Sequence, residues 1–120
     1  MPERLRVIVV EDDVMLAEDL RLTCEDMGID VMDMIHSAEG AARRILEHRP
    51  DYVLMDVRLG GRRDGVDIAE EVYRTAPEIR LVFVTGSNEP PTIRRIAEDH
   101  PYRILIKPTS PQELRDAFGL

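Results

Sequence analysis

Five short apolar runs, rich in β-branched residues, alternate along the chain with segments of helical periodicity. The runs cover residues 5–10, 29–35, 52–55, 81–84 and 103–106. Most are nearly continuous rather than alternating, which is typical of strands buried on both faces of a parallel sheet. The run at 29–35 places Asp30 and Asp33 between apolar residues, so it predicts a strand at the edge of the sheet.

A helix is predicted after each apolar run, because apolar residues recur there on one face and a cap or breaker bounds each segment. The boundary signals are Gly28 after the first helix, Ser37 and Pro50 around the second, Pro77 after the third, residues 88–91 and Pro101 around a weaker fourth, and a capping box at residues 110–113 for the fifth. Five strand–helix repeats imply right-handed crossovers and a doubly wound α/β sheet with helices on both faces. We expect one domain over residues 1–120.

Composition narrows the class of protein further. Apolar residues make up 43% of the 120 residues, aromatic residues 4%, and Trp is absent, so the core must be aliphatic. Cys24 is the lone cysteine, which excludes an internal disulfide and predicts a buried, inert thiol. No apolar run approaches the ~20 residues of a membrane span, and no signal peptide is evident, so we expect a cytoplasmic protein. A net charge of −8 argues against direct binding of nucleic acid.

Polar residues follow four of the predicted strands at their carboxyl ends. Glu11 and Asp12 leave the first strand, Asp56 the third, Thr85 the fourth and Lys107 the fifth. Each has an ordinary structural explanation by itself, as a helix cap, a turn former or a solvated side chain. Ligands of open parallel sheets bind at this edge, so four such strand ends together favour a site. Lys107 is also the single lysine among 15 arginines, which points to a need for a compact ammonium group.

The chemistry of these residues suggests phosphoryl transfer. Clustered carboxylates raise one another's pKa values unless a cation shares them, and oxygen ligands with room for water suit Mg²⁺. A carboxylate beside the metal can attack phosphorus, while a lysine and a hydroxyl neutralise the transferring oxygens. Asp56, Thr85 and Lys107 fit the roles of nucleophile, hydroxyl donor and cationic clamp.

Motifs along essentially the whole chain resemble those of response-regulator receiver domains, in order and nearly in spacing. They are VVEDD, VLMDVRL, DG, VTG and LIKP at residues 9–13, 53–59, 64–65, 84–86 and 105–108. The resemblance implies a flavodoxin-like, five-stranded sheet in the order 2-1-3-4-5. It also implies phosphorylation by a histidine kinase or histidine phosphotransfer protein, an unidentified downstream protein as second partner, and a monomer or weak dimer.

The same resemblance assigns individual residues. Asp56 matches the phospho-acceptor, and Thr85 and Lys107 match the hydroxyl and lysine of the site. For Mg²⁺, Asp12 is expected to bind directly, Glu11 largely through water, Asp56 by its carboxylate and Arg58 by its backbone carbonyl. The bond between Lys107 and Pro108 is expected to be cis.

The sequence also departs from the family pattern. Gly60 replaces a usual proline, one extra residue lies between Asp56 and Gly65, and Ile104 stands where an aromatic residue is common. Thr85–Gly86 resembles an atypical subgroup with a Phe-Ala-Thr-Gly motif, in part. These changes leave the residues of the predicted reaction in place but alter how phosphorylation is passed on to a partner protein. We expect residues 86–97 to become ordered on phosphorylation and to form the surface that the partner binds.

Three alternatives stay open. A phosphatase of the haloacid-dehalogenase type uses a similar set, but it needs an acid where Arg58 stands. A flavodoxin-like cofactor binder wants a phosphate loop where Glu11 and Asp12 stand. A non-phosphorylated scaffold, a pseudo-receiver, would have no need of the reactive residues. The prediction is a signalling module rather than a turnover enzyme.

Overall fold

The computed structural model describes residues 4–60, 62–86, 94 and 103–120. This part of the chain contains five strands and four helices. In chain order they are β1 (Arg6–Val10), α1 (Val14–Asp26), β2 (Asp30–Ile35), α2 (Ala41–His48), β3 (Tyr52–Met55), α3 (Gly65–Thr75), β4 (Arg80–Thr85), β5 (Arg103–Ile106) and α4 (Pro111–Ala117). The strands form one parallel sheet in the order β2-β1-β3-β4-β5, which confirms the predicted fold and strand order.

All five predicted strands exist, and β2 lies at an edge as expected. Its pairing with β1 shifts register between Val7 and Ile8. Asp33 of this strand binds Arg44 of α2 through two hydrogen bonds of 2.9 and 2.5 Å. The helix predicted from residues 88–91 onward, and the expected ordering of residues 86–97, fall outside the described residues except at Gly86 and Arg94.

Two apolar cores cover the two faces of the sheet. One packs α2 and α3 on the sheet through residues such as Ile45 and Val72, and the other packs α1 and α4 through Ala17 and Leu114. Both are mainly aliphatic, as the composition predicts. Cys24 is fully buried in the second core, and burial raises the pKa of its thiol to about 12, so it is an inert core residue as predicted.

The helix starts show which local signals were correct. Asp13 caps α1 by accepting the Met15 and Leu16 amides, and Ser110 begins the predicted capping box of α4. The prediction that Ser37 caps the second helix is wrong, because α2 begins at Ala41 after Gly40. Gly40 has φ +71°, a left-handed conformation that glycine adopts without strain, so the chain turns there instead.

The third helix begins with a capping box formed by Asp64 and Asp67. The sequence analysis did not identify Asp64 as the start of this helix. None of the helices in the described ranges combines the length and apolar character that crossing a bilayer requires.

Candidate functional site

Three carboxylates meet at the carboxyl edge of the sheet. Val10 pairs with Met55 in adjacent strands, and the Asp56 amide donates to the Val10 carbonyl at 2.9 Å, so the next residues of both strands come together. One carboxylate oxygen from each of Glu11, Asp12 and Asp56 lies within 4.8 Å of the others. Glu11 is 1% and Asp56 7% exposed, whereas Asp12 faces solvent. Such an oxygen-only cluster, open on the Asp12 side, fits Mg²⁺ with bound water.

The environment of the cluster alters the pKa of Asp12. Desolvation of its carboxylate raises the pKa of Asp12 above its ordinary value, and so do the hydrogen bond that protonated Asp12 donates to Glu11 and the charge repulsion between the two groups. A divalent cation at this position would relieve the repulsion, because it would be shared by the carboxylates. The donor set therefore fits the metal that the sequence suggested.

Lys107 completes the cluster from the fifth strand. Its Nζ lies 2.7 Å from Oε1 of Glu11 and 3.5 Å from Oδ2 of Asp56. Burial lowers the pKa of Lys107, but the hydrogen bond to Glu11 and the charge of Asp56 outweigh burial, so the pKa is raised. The lysine is thus a fixed cation within the site, and its bond to Pro108 is cis, as expected.

Glu11 is held on both sides. Its Oε1 accepts from Lys107, and its Oε2 accepts the Asp13 amide at 3.2 Å. His36 also lies against this strand end, with Nδ1 2.9 Å from the Glu11 carbonyl oxygen. Sequence reasoning missed His36, although it follows the second strand as the other site residues follow theirs.

Thr85 and Arg58 flank the cluster in different ways. Thr85 is the last residue of β4, is 2% exposed, and lies on the strand between those that lead to Asp56 and Lys107. The Lys107 amide donates to its carbonyl at 2.8 Å. Arg58 has an exposed side chain, and its amide donates to Oδ1 of Asp56 at 3.4 Å. The structure therefore brings the predicted residues to the carboxyl edge of the sheet, and Arg58 takes part there through its backbone amide.

Two glycines let the loop after Asp56 approach the site. A Cβ on Gly65 would lie 2.0 Å from the Asp56 carbonyl oxygen, so no larger residue fits there without movement. Gly60 has φ +64°, and a Cβ on it would lie 3.8 Å from Oδ2 of Asp12. Proline is fixed near −65°, so it could not adopt this conformation. Gly60, where the family usually has proline, therefore gives this loop a backbone conformation that proline could not adopt.

Comparison with known proteins identifies the class. Residues 7–119 match the family model of the response regulator receiver domain. The transcriptional regulatory protein PdtaR of Mycobacterium tuberculosis is 30% identical over 117 residues, which cover 96% of this chain and 55% of that protein. The chain thus spans about half the length of the curated relatives it matches.

Two solved structures share the fold. The signal receiver domain of a modulated diguanylate cyclase from Desulfovibrio desulfuricans G20 has a TM-score of 0.89 and 30% identity, covering 98% of this chain and 92% of that one. A CheY-like receiver domain protein from Methanospirillum hungatei JF-1 also has a TM-score of 0.89, with 19% identity and the same coverage. This chain belongs to the response regulator receiver domain family of two-component systems.

Proposed function

We propose that Asp56 accepts a phosphoryl group from the phosphohistidine of a histidine kinase or histidine phosphotransfer protein. The proposal includes Mg²⁺ as cofactor, residues 1–120 as one receiver domain, and a downstream protein whose binding changes on phosphorylation. The observation that carries it is the convergence of Glu11, Asp12 and Asp56 within 4.8 Å, with Lys107 3.5 Å from Asp56. Family membership supports a cytoplasmic place of action.

The proposed reaction is an in-line displacement at phosphorus. A carboxylate oxygen of Asp56 forms the new bond to phosphorus, and the bond from phosphorus to the donor imidazole nitrogen breaks, leaving its electron pair on nitrogen. Asp12, Asp56 and the Arg58 carbonyl would hold Mg²⁺ directly and Glu11 through water; the ion supplies neutralising charge at the transferring oxygens. Lys107 would move from Glu11 toward a phosphoryl oxygen, and the Thr85 hydroxyl would donate to another.

An exposed apolar patch beside the acidic pair supports a protein as phosphodonor. Val14, Met15 and Leu16, in the first turn of α1, are 60%, 83% and 40% exposed. They lie immediately after Asp13, the N-cap, so a partner seated on them would reach the strand end that carries Glu11 and Asp12. Exposed large apolar side chains that cluster in this way mark interaction surfaces.

The residue two positions after Asp56 supports acceptance over turnover. Arg58 cannot serve as a general base, because its guanidinium has no proton-accepting atom at neutral pH. A haloacid-dehalogenase-like phosphatase would need a carboxylate there to activate water against the phosphoryl-aspartate. We therefore propose a phosphoprotein with stoichiometric labelling rather than a turnover enzyme.

Intact mass after incubation with a small phosphodonor and Mg²⁺ tests the proposal. Wild type should gain one phosphoryl group, a gain that chelation of the metal abolishes, and Asp56→Asn should gain none. Asp26→Asn, which removes the same charge from the last, exposed residue of α1, should behave as wild type. Labelling that survives in Asp56→Asn would refute the acceptor, and repeated release of phosphate from a stable ester would favour a phosphatase.

A further inference from the structure

The backbone of Glu11 is held against the end of β2 by two hydrogen bonds. The regular pairing of β1 with β2 ends at Val10 and Ile35. One residue further along, the Glu11 amide donates to the Ile35 carbonyl at 2.9 Å. The ring of the next residue, His36, places Nδ1 2.9 Å from the Glu11 carbonyl oxygen. Both polar groups of the Glu11 backbone are therefore bound by consecutive residues of the neighbouring strand end.

The contact with the Glu11 carbonyl defines where the His36 ring carries its proton. A carbonyl oxygen can only accept a hydrogen bond, so Nδ1 must be the donor in this contact. Nδ1 carries a proton in the imidazolium and in one of the two neutral tautomers. The geometry therefore assigns the neutral ring of His36 to the Nδ1–H tautomer.

The Glu11 carbonyl belongs to the peptide unit that leads into Asp12. This unit is planar, so the positions of its oxygen and of Glu11 Cα fix the position of Asp12 Cα. The Asp12 side chain is exposed, and one of its oxygens lies within 4.8 Å of a carboxylate oxygen of both Glu11 and Asp56. Because an exposed side chain is held by few neighbours, the direction of this carboxylate depends on the backbone that carries it.

Loss of the His36 donor would leave the Glu11 carbonyl without this partner at a buried position. Glu11 is 1% exposed, and a buried acceptor that loses its hydrogen bond is costly. Rotation of the peptide unit toward another donor would relieve that cost. The same rotation would turn the Asp12 carboxylate away from the other two carboxylates.

We propose that His36 is a positioning residue for the metal site, and that its Nδ1–H holds the peptide unit between Glu11 and Asp12 so that the Asp12 carboxylate is directed into the acidic cluster. This rests on the proposed binding of Mg²⁺ by that cluster. His36 acts through the backbone and not as a ligand. Groups one shell out from metal ligands commonly set affinity in this way, because they orient the ligands.

Two substitutions separate the hydrogen bond from the shape of the ring. His36→Asn keeps an N–H donor near the position of Nδ1 and loses the ring, whereas His36→Phe keeps a ring and loses the donor. Dissociation constants for Mg²⁺ are measured by calorimetric titration, after thermal unfolding has shown that each variant is folded. His48→Asn and His48→Phe are the matched controls. His48 ends α2, and its carbonyl accepts from Arg6, at the opposite end of β1 from Glu11.

His36→Phe should bind Mg²⁺ about two- to tenfold more weakly than wild type, the factor that corresponds to one net hydrogen bond, and His36→Asn should stay within about twofold. The Mg²⁺ concentration that gives half-maximal labelling of Asp56 by a small phosphodonor should rise by the same factor in His36→Phe. Both His48 variants should bind Mg²⁺ as wild type does. A ring needed only for packing would give the opposite order, with His36→Asn the weaker binder, and would overturn the proposal.

The state of the His36 ring gives a test that needs no variant. Nitrogen-15 shifts of the imidazole distinguish the two neutral tautomers, and they are measured on wild type at a pH where the ring is neutral. The Nδ1–H pattern is expected, because the Glu11 carbonyl requires a donor at Nδ1. The Nε2–H pattern would refute the hydrogen bond and the positioning role with it.

This proposal and the proposed function fail in distinguishable ways. If wild type neither binds Mg²⁺ nor is labelled at Asp56, the metal site is wrong and the role of His36 falls with it. If wild type binds Mg²⁺ and is labelled at Asp56, but His36→Phe binds Mg²⁺ as tightly as wild type, the acceptor site stands and the positioning role is refuted.

Discussion

Glu11 and Lys107 are joined by an ion pair across the carboxyl edge of the sheet, with Nζ 2.7 Å from Oε1. The pair links strand ends that are separated by β3 and β4, and the Glu11 side chain is only 2% exposed against 25% for the lysine. The lysine therefore lies closer to Glu11 than to Asp56 in this state. Phosphorylation would have to draw it from one carboxylate toward the other.

Replacing Lys107 should lower the stability of the protein, because Glu11 would remain buried without its charged partner. We expect Lys107→Met to lower the free energy of unfolding by about 1–3 kcal/mol in the absence of metal, because a buried carboxylate loses its charged partner. In a Glu11→Gln background the same change should cost less. Urea denaturation of wild type, the two single variants and the double variant measures the coupling free energy between Lys107 and Glu11. The exposed pair of Arg63 and Glu71 is the comparison, where Arg63→Met should cost at most about 1 kcal/mol. Equal costs of Lys107→Met in both backgrounds would show that the pair is not coupled.

Metal affinity should depend more on Asp12 than on Glu11. Both Glu11 oxygens already accept hydrogen bonds, from Lys107 and the Asp13 amide, whereas Asp12 is exposed at the open side of the cluster. Asp12→Asn should weaken Mg²⁺ binding by about 1.5–3 kcal/mol, the value of a charge-assisted contact, and Glu11→Gln by less. Calorimetric titration measures both, with Asp26→Asn, at the far end of α1, as control. Affinities that agree across all four proteins would argue against the metal site.

Gly65 should tolerate no side chain. A Cβ there would lie 2.0 Å from the Asp56 carbonyl oxygen and 2.9 Å from Cγ of Met55, so the start of α3 must move away from the acceptor strand. Gly65→Ala should destabilise the protein by at least about 1–3 kcal/mol, as overpacking does. Gly86→Ala is the control, because no atom of the described residues lies within 4 Å of its added Cβ and its backbone is not left-handed. Thermal unfolding that is the same in both variants would contradict this account of the loop.

The strands were predictable because buried parallel strands leave a strong local signal. The runs at 52–55 and 103–106 match β3 and β5 at both ends. β1 and β2 begin one residue after their runs, and β4 extends one residue beyond its run at each end. The acidic cluster was predictable for a related reason. Parallel strands end at one edge, so Glu11 and Asp56 had to meet once the sheet existed.

Features that depend on contacts distant in sequence were not predictable. The start of the second helix was also not predicted, because α2 begins at Ala41 with Gly40 as its N-cap in a left-handed conformation, and Ser37 does not cap it. The predicted strand order already put the end of β2 beside that of β1, but nothing in the residue type of His36 indicated that its ring contacts the Glu11 carbonyl. The closer approach of Lys107 to Glu11 than to Asp56 likewise reflects distances within the assembled site.

Asp12 should destabilise the protein without metal and stabilise it with metal. Its pKa is raised, first by burial and then by Glu11, so the folded state binds this proton more tightly than the unfolded chain does. Ionised Asp12 therefore costs stability at neutral pH, and the cost disappears as pH falls below the raised value and then below the ordinary one. Asp12→Asn removes the ionisation, so the variant should be the more stable protein at neutral pH with a chelator present.

Added Mg²⁺ should reverse this order. At ten times the dissociation constant, bound metal adds about 1.4 kcal/mol to wild type and less to Asp12→Asn, whose affinity is lower. Thermal unfolding at pH 7 with chelator and with graded Mg²⁺ would show the two stability curves crossing, while Asp26→Asn should respond to Mg²⁺ as wild type does. Curves that stay parallel as metal is added would mean that Asp12 does not bind it, whatever the role of Asp56. If Asp12→Asn is instead less stable with chelator, Asp12 has a structural role in the loop that outweighs its repulsion from Glu11.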